Sequence, residues 1–527
     1  MCRAAQLVEI ADRPPSLRAV PRPSSRVRAC RDRAIAALRA DPVRLRFAAG
    51  TAVLAAWRFV VLARSGELSG VDAGNWLTYG HAWVGQGVSG GRGRDYPPLV
   101  PLLELGVTRV LGVVVGTWLV AALASVGPGA GVFVLLRRAG CGQWSLLALL
   151  VSAGAIAGET AAWGGIPQLL GLGFGMVLLV AVPHAVRGSR RGALGVGLTA
   201  FLLVATSQLL VIPFAVAGAL VAGLAVTADR RVDLRALART VAVLAPCAVW
   251  LPVYVRIARS AGHNIGADET FTVRSVVRVA PLVSTELPRD LFYAVVIAGL
   301  VTLLVRVGDW RSSLWQISAS MTVVGVLLLV THPHVRLLAL LPEATIPSLA
   351  LWSARPQVGG ARSAVVRQAS AVALAGLASY AAVMGALAFR QEHRFYAGQD
   401  PTGTVRALDW LRHDTPRDAT VAVSESAGAA FGWWVEGFGR RRTFVEASDS
   451  YVYSDGERAR SRVVSSLIEG TDDPTSPDVL GRARGAGIDY LYLNGRWLSD
   501  HPAAAKSARA SAAVVYDTSA AVVIRVP

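Results

Sequence analysis

Charge is what this chain has least of. Only 17% of its 527 residues are Asp, Glu, Lys or Arg, against 53% hydrophobic residues, and the mean hydropathy is +0.46. A soluble globular chain carries about 25% charged residues, so an ordinary soluble enzyme is excluded and an integral membrane protein is indicated. Lysine is nearly absent: Lys506 is the single one, and every other basic residue is arginine. That bias reads as base composition rather than function. The four cysteines, Cys2, Cys30, Cys141 and Cys247, have no metal-type spacing and none lies in a segment expected outside the membrane, so no disulfide is expected. A Walker-type phosphate loop and an internal repeat are also missing, which leaves nucleotide-driven chemistry and a repeat-built transporter without a sequence signal.

What is present is arginine in a particular arrangement. The formal net charge is +18, but the arginines cluster in short loops between apolar runs of helix-spanning length. That pattern fixes membrane orientation and argues against nucleic acid as a partner. Residues 1–45, arginine-rich from Arg3 to Arg44 with interspersed Pro and Ser, are expected to be a disordered cytoplasmic tail that lies on anionic lipid. Residues 46–389 read as about eleven spans, near 47–63, 113–136, 143–158, 165–186, 192–205, 208–226, 240–257, 291–305, 313–331, 336–352 and 369–389. Arg58 in the first of these is expected to snorkel to the outer end. Leu99 to Leu111, with Glu104 and Arg109 on an apolar repeat, suits a helix lying along the interface.

Alternate loops carry the arginine excess, with Arg137-Arg138, the group at Arg187, Arg190 and Arg191, and the group from Arg230 to Arg239 on the side of the N-terminal tail. An odd number of spans then sends the C-terminus outside. Residues 390–527 turn polar and alternate helical and strand-like patterns. Helices are expected at Thr404–His413, near Arg458–Ile468 and at Asp478–Arg484; strands at Thr420–Ser424, Thr443–Glu446 and Asp489–Leu493; and a hairpin at Ala513–Val526. The expected fold class is therefore a polytopic α-helical membrane protein of the plasma membrane, with its N-terminus cytoplasmic and a small α/β extracytoplasmic C-terminal domain.

The segment from Glu67 to Pro101 carries the site chemistry. Asp72 sits there among Asn75, Trp76, Tyr79, His81 and Trp83, and the segment closes on Asp95-Tyr96-Pro97-Pro98-Leu99. A carboxylate beside a membrane mouth lined with Trp and Tyr suits deprotonation of a sugar hydroxyl, provided bulk water is kept out. Asp72-Ala-Gly-Asn75 equally suits the start of a helix running through Trp83, and both readings stand at this point.

Two short motifs point to a family. Asp95-Tyr-Pro-Pro-Leu-x-Pro-Leu-Leu103 resembles the first outward loop of membrane glycosyltransferases of the C superfamily, which use polyprenyl-phosphate sugars as donors. Glu159-Thr-Ala-Ala-Trp163-Gly-Gly-Ile-Pro167-Gln168 is similar to the aromatic-Gly-Gly-x-Pro element that opens a later helix in many members. The resemblance implies that Asp72 is the catalytic base and that Glu159 matches the second acid some members carry. It implies a polyprenyl-phosphate sugar as donor, and an envelope glycan, lipid or protein as acceptor at the bilayer surface. From the residues themselves, a helix-end carboxylate accounts for Glu159, and a helix start accounts for Gly164-Gly165-Ile-Pro167.

A donor phosphate needs cations. His332, His334 and Arg336 lie in one outward turn, where family members often carry a basic residue, and Arg94 lies in the first outward loop. Tyr96, Trp76 and Trp163 are the candidate substrate-binding aromatics. No metal set or cofactor is expected, because His332 and His334 have no third acidic ligand in sequence reach. The 258–290 loop, with His263, Asp268, Glu269 and Arg274, has the length of a lid. Trp433-Trp434-Val435-Glu436-Gly437 is distantly similar to the Trp-Trp-Asp-Tyr-Gly signature of oligosaccharyltransferases. Val435 replaces its Asp and Glu436 its Tyr, so sequon binding and metal dependence find no support. Paired tryptophans also suit a docking face against the membrane unit. The leading expectation is transfer of a sugar, hexosyl or pentosyl, with Asp72 as base. The alternative is a polytopic transporter or lipid flippase without covalent chemistry, and a catalytically inactive scaffold is a third reading.

Overall fold

The computed structural model describes residues 41–65, 70–88, 93–230, 233–260, 310–331, 383, 386–387, 401–424, 432–445 and 455–527. By contacts the chain divides into two compact units, Met1–Ala49 and Gly50–Pro527. In the first, the Asp41 carboxylate accepts from the amides of Val43 and Arg44 and starts helix α1 (Pro42–Ser65). The expected basic tail otherwise lies outside the described residues.

The second unit holds most of the helices. Among the described residues five segments are long and apolar enough to cross a membrane: Pro42–Arg64, Val113–Arg138, Ile166–Val186, Gln208–Asp229 and Leu234–Arg256. They comprise α1, α4 (Val113–Ala124) with α5 (Gly127–Arg138), α8 (Ile166–Val186), α10 (Gln208–Asp229), and α11 (Leu234–Ala242) with α12 (Leu251–Ser260). Two more apolar helices, α9 (Arg190–Thr206) and α13 (Ser313–Thr331), coincide with expected spans. The spans expected at 291–305 and 336–352, and nearly all of the span expected at 369–389 and of the 258–290 loop, lie outside the described residues. Apolar side chains such as Ile212, Val53 and Leu194 point outward at 73%, 69% and 67% exposure, the surface a bilayer would cover. Inside, backbones meet closely: a β-carbon on Gly173 would lie 2.6 Å from the Gly127 carbonyl oxygen, so α5 and α8 pack through small residues.

Three sequence expectations change here. The apolar run at 143–158 does not form one span. A short 3-10 turn (Gly142–Leu147) leads into α6 (Ala148–Ala153), Gly154 adopts an extended ψ of 167°, and α7 (Ala155–Trp163) runs on past the expected end of the span. Arg58 does not snorkel. It is fully buried and donates to the carbonyls of Ser125 at 3.3 Å and Ser152 at 2.6 Å, acceptors that the packed helices supply within the unit. The third concerns α3 (Leu99–Leu111): Arg109 is exposed as an interface helix requires, but Glu104 is 0% exposed. Its face, with Val100, Pro101, Leu105 and Thr108, is the buried one, because α3 pairs with α2 (Gly70–Trp83) on one side and α4 on another.

The C-terminal stretch builds an α/β layer. Strands β1 (Thr420–Val423), β2 (Arg442–Thr443), β3 (Tyr490–Asn494), β4 (Val514–Asp517) and β5 (Ala521–Arg525) order as β2-β1-β3-β5-β4. The β1 strand runs parallel to β2 and β3, and β5 is antiparallel to β3 and β4. Alternation along the strands separates two cores. Leu491, Leu493, Val522 and Ile524 pack under α16 (Asp455–Ile468), α17 (Pro477–Gly485), α18 (Gly495–Asp500) and α19 (Pro502–Arg509). Tyr490, Tyr492, Ala521 and Val523 face the opposite way, onto α14 (Pro401–Asp414) and onto Ala73, Leu77 and Leu105 of α2 and α3. The sheet therefore shares a core with the helices that follow the first span.

Candidate functional site

Helix α2 organises the site because its two faces serve different neighbours. Positions 72, 76, 79 and 83 recur at helical spacing and place Asp72, Trp76, Tyr79 and Trp83 along one stripe. The other stripe, through Ala73, Gly74, Leu77 and Thr78, meets the α/β layer at a short helix, α15 (Gly432–Trp434), and the π turn Val435–Gly439 after it. Burial on both sides leaves Asp72 only 4% exposed in the first turn of the helix. Asp72 lies inside the first turn of α2 and is buried rather than solvated.

The turn after α7 closes over Asp72. Gly164 takes φ +91°, a left-handed conformation that a β-carbon disfavours, and a β-carbon built on it would lie 3.2 Å from the Asp72 Cβ. A β-carbon on Gly70 would come within 2.5 Å of the Trp163 carbonyl oxygen, so α2 begins against the end of α7. Trp76 donates its indole N–H to the Gly164 carbonyl at 2.8 Å. The Tyr96 ring then meets Trp76 at 4.8 Å and stacks on Tyr79 at 5.4 Å between centroids. Asp72, Trp76, Tyr96 and the Trp163-Gly164 turn thus form one buried group.

The loop carrying Tyr96 is held from outside as well. Trp83 donates its indole N–H to the Tyr96 carbonyl at 3.0 Å, and Arg94 donates to the Ala82 carbonyl at 3.2 Å with its guanidinium over the Trp83 ring. Arg256 pairs with Asp95 at 3.3 Å and donates to the Arg94 carbonyl at 2.9 Å. Arg94 is consequently fixed beside Ala82, ten residues or roughly 15 Å along α2 from Asp72. The structure does not bring those two together. Glu159 lies on α7 four residues before Trp163, and its side chain is outside the described residues, as are His332, His334 and Arg336 in full.

The sequence reading did not foresee the burial of several polar groups near this site. Asn75, one turn beyond Asp72, and Gln168, one turn beyond Gly164, are 4% and 3% exposed, and each has an amide oxygen with no hydrogen-bond partner among the described residues. Glu104 has neither carboxylate oxygen so bonded, and burial holds its carboxyl well above the usual carboxylate range. The only signal of their burial was a lone polar residue within an apolar repeat. Among the described residues no group of three His, Cys, Asp or Glu is placed to hold a metal ion.

These features define a multi-pass membrane fold in which a buried acid and an aromatic cluster sit on a helix clasped by an α/β layer. No protein-family model matches the chain, and no curated protein matches it. Solved structures do. ArnT from Cupriavidus metallidurans bound to undecaprenyl phosphate is 15% identical, over 90% of this chain and 97% of that one, with a TM-score of 0.50. ArnT from the same organism in the apo state is 14% identical, over 90% and 98%, with a TM-score of 0.51. The archaeal oligosaccharyltransferase AglB from Archaeoglobus fulgidus, in complex with an inhibitory peptide and a dolichol-phosphate, is 14% identical over 84% and 69%, with a TM-score of 0.47. The chain shares the fold of ArnT, in line with the family that its two short motifs resemble.

Proposed function

We propose that this protein transfers a sugar from a polyprenyl-phosphate donor to an envelope glycan, lipid or protein acceptor on the extracytoplasmic face, with Asp72 as general base. The observation that carries the reading is the burial of Asp72 at the start of α2, against the Trp163-Gly164 turn and beside Trp76 and Tyr96. The ArnT fold, seen bound to undecaprenyl phosphate in its own case, supports the donor class. In the reaction Asp72 takes the proton of the acceptor hydroxyl as its oxygen attacks the anomeric carbon. The anomeric C–O bond breaks with inversion, and polyprenyl phosphate leaves with the electron pair. Trp76, Tyr96 and Trp163 offer aromatic faces and edges for the sugar. The cations assigned to the donor phosphate are His332, His334 and Arg336, with Arg94 the more remote candidate; Glu159 is assigned a supporting acid role. The transferred group is a hexosyl or pentosyl unit.

The test is turnover of a lipid-linked sugar by purified protein. Asp72→Asn is expected to lower turnover at least about 100-fold, the scale of a lost general base, with an unchanged melting profile. Turnover at the wild-type level would remove Asp72 from the chemistry. Movement of a labelled lipid-linked substrate across reconstituted vesicles without any glycoside product would favour the transporter reading instead.

A further inference from the structure

The far end of α2 carries a second constellation that the proposed reaction does not use. His81, in the last turn of α2, lies nine residues or roughly 13 Å along the helix from Asp72. Three arginines from three separate elements bring their charge onto it: Arg440 from the turn after α15, Arg109 from the end of α3, and Arg412 from the end of α14. Gln86 ties two of them to one point. Its side-chain oxygen accepts from Arg109 at 2.8 Å and its main-chain carbonyl accepts from Arg440.

A fourth arginine sets the frame. Arg441 is buried and donates to the carbonyls of Arg412 and Thr415, both at 2.6 Å, to the Thr415 hydroxyl at 2.8 Å, and to the Arg440 carbonyl at 2.9 Å. It therefore fixes the backbone from which both Arg412 and Arg440 project. Cations at helix C-termini are ordinary, and that accounts for Arg109 and Arg412 taken singly. It does not account for Arg440, which follows the π turn at φ +57°, a conformation disfavoured for a residue with a β-carbon.

Nor does it account for unanswered polar atoms. Among the described residues Nη1 of Arg440 and Nδ1 of His81 are shielded from solvent and have no hydrogen-bond partner. Among the described residues the carboxylate whose charge reaches Arg440 is Glu436, whose Oε1 accepts from the amide and hydroxyl of Thr443 at 3.2 and 3.1 Å. Set against it are the guanidiniums of Arg109, Arg412, Arg440 and Arg441, so positive charge is in excess. Burial, followed by the charge of Arg440, pushes the His81 imidazole down to about 4 against a hydrogen bond with the Gln86 side chain, so it stays neutral near pH 7 with one ring nitrogen a donor and the other an acceptor.

We infer that Arg109, Arg412, Arg440 and His81 form a binding site for a phosphate group at the seam between the α2–α3 hairpin and the α/β layer. A dianionic or diester phosphate answers the excess charge, fits the forked geometry of paired guanidiniums, and gives the shielded Arg440 N–H an acceptor. The phosphate can come from a phospholipid headgroup or from free phosphate in solution. Either source bridges α2, α3 and the α/β layer at the far end of the core they share through Ala73, Leu77 and Leu105. The site is independent of sugar transfer and is read by binding alone.

The experiment follows thermal unfolding of the purified full chain against inorganic phosphate. In parallel, the chain is placed in nanodiscs of phosphatidylglycerol or phosphatidylcholine, with retained lipid read by native mass spectrometry. The exposed pair is altered as Arg109→Gln with Arg412→Gln, and Arg482→Gln with Arg484→Gln on α17 serves as the control for general basicity. A saturable rise in Tm with phosphate, present in wild type and control and weakened at least tenfold in the site variant, supports the inference with a solution source. Selective retention of phosphatidylglycerol that the site variant loses supports it with a headgroup source. If the double variant does not fold, Arg412→Gln alone is expected to weaken binding several-fold. Absence of both effects in wild type, or equal effects in site variant and control, overturns it.

Discussion

Gly74 of α2 and Trp434 of the α/β layer face each other with no room for a side chain: a β-carbon on Gly74 would lie 2.7 Å from the Trp434 backbone nitrogen. The Thr78 hydroxyl donates to the Trp433 carbonyl and the Trp434 indole to the Gly70 carbonyl, both at 3.3 Å, so the two tryptophans grip α2 by its backbone. The paired tryptophans are a docking face. Gly74→Ala is therefore expected to destabilise the protein by about 1–3 kcal/mol through overpacking. Because the other stripe of α2 carries Asp72, transfer activity should fall with it. Thr78→Val, which removes only a hydrogen bond, should cost about 1 kcal/mol. Thermal melts of the two variants side by side check the order, and an Ala variant as stable as wild type would mean that the seam opens freely.

Tyr96 is the joint between the aromatic cluster and the loop that leads into α3. Its ring lies against Trp76 and Tyr79, while its carbonyl accepts from Trp83. Tyr96→Ala leaves a cavity lined by two aromatic rings and is expected to cost about 3–5 kcal/mol. Tyr96→Phe keeps the ring and should stay within about 1 kcal/mol of wild type in stability. Turnover of the Phe variant then isolates the hydroxyl: a drop without loss of Tm places that oxygen in substrate binding, and unchanged turnover confines Tyr96 to packing.

How far the chain could be read ahead of its structure depended on how local each feature is. Short apolar runs such as Tyr490-Leu491-Tyr492-Leu493 between polar stretches placed β1, β3 and the β4–β5 hairpin within a residue or two, while the strand expected at Thr443–Glu446 is the shorter Arg442–Thr443. Helices α18 and α19 were missed: α18 is only six residues long, and the buried face of α19 is made of alanines, Ala504, Ala505 and Ala508, which stand out little as a core stripe. Long apolar runs revealed spans, yet the break at Gly154 left no mark, since its neighbours are apolar on both sides. Asp72 was recognised as a helix starter or a base from its immediate neighbours. Its burial comes from Gly164 and from the clasp of α2 by Trp433 and Trp434, partners about 90 and 360 residues away, and no local pattern announces them. The same holds for Arg58, whose acceptors Ser125 and Ser152 lie 67 and 94 residues further on.

Arg58 gives a prediction about the helical bundle. One guanidinium bonds to two backbone carbonyls on different segments through separate nitrogens. Hydrogen bonds to a charged group contribute about 1.5–3 kcal/mol each, so Arg58→Ala should destabilise by several kcal/mol and reduce yield in membranes. Arg58→Lys restores charge but offers a single nitrogen and no fork. Its expected stability lies between wild type and Ala, and Tm in detergent ranks the three.

Glu104 makes stability depend on pH with a sign that can be worked out. Burial raises the folded carboxyl well above the ordinary glutamate value of about 4.5, at which the unfolded chain ionises. Below about pH 4.5 both states hold the proton and Glu104 is neutral to the balance. As pH rises past it, the unfolded state releases its proton and the folded state does not, so stability falls until the folded carboxyl itself ionises. Each unit between the two values corresponds to about 1.4 kcal/mol. Glu104→Gln retains the shape without the titration. It should therefore raise Tm at pH 7 relative to wild type, with the gain shrinking to nothing near pH 4. A gain that is the same at both pH values would assign the effect to packing, and a loss at pH 7 would show that the ionised form has a partner in the folded protein.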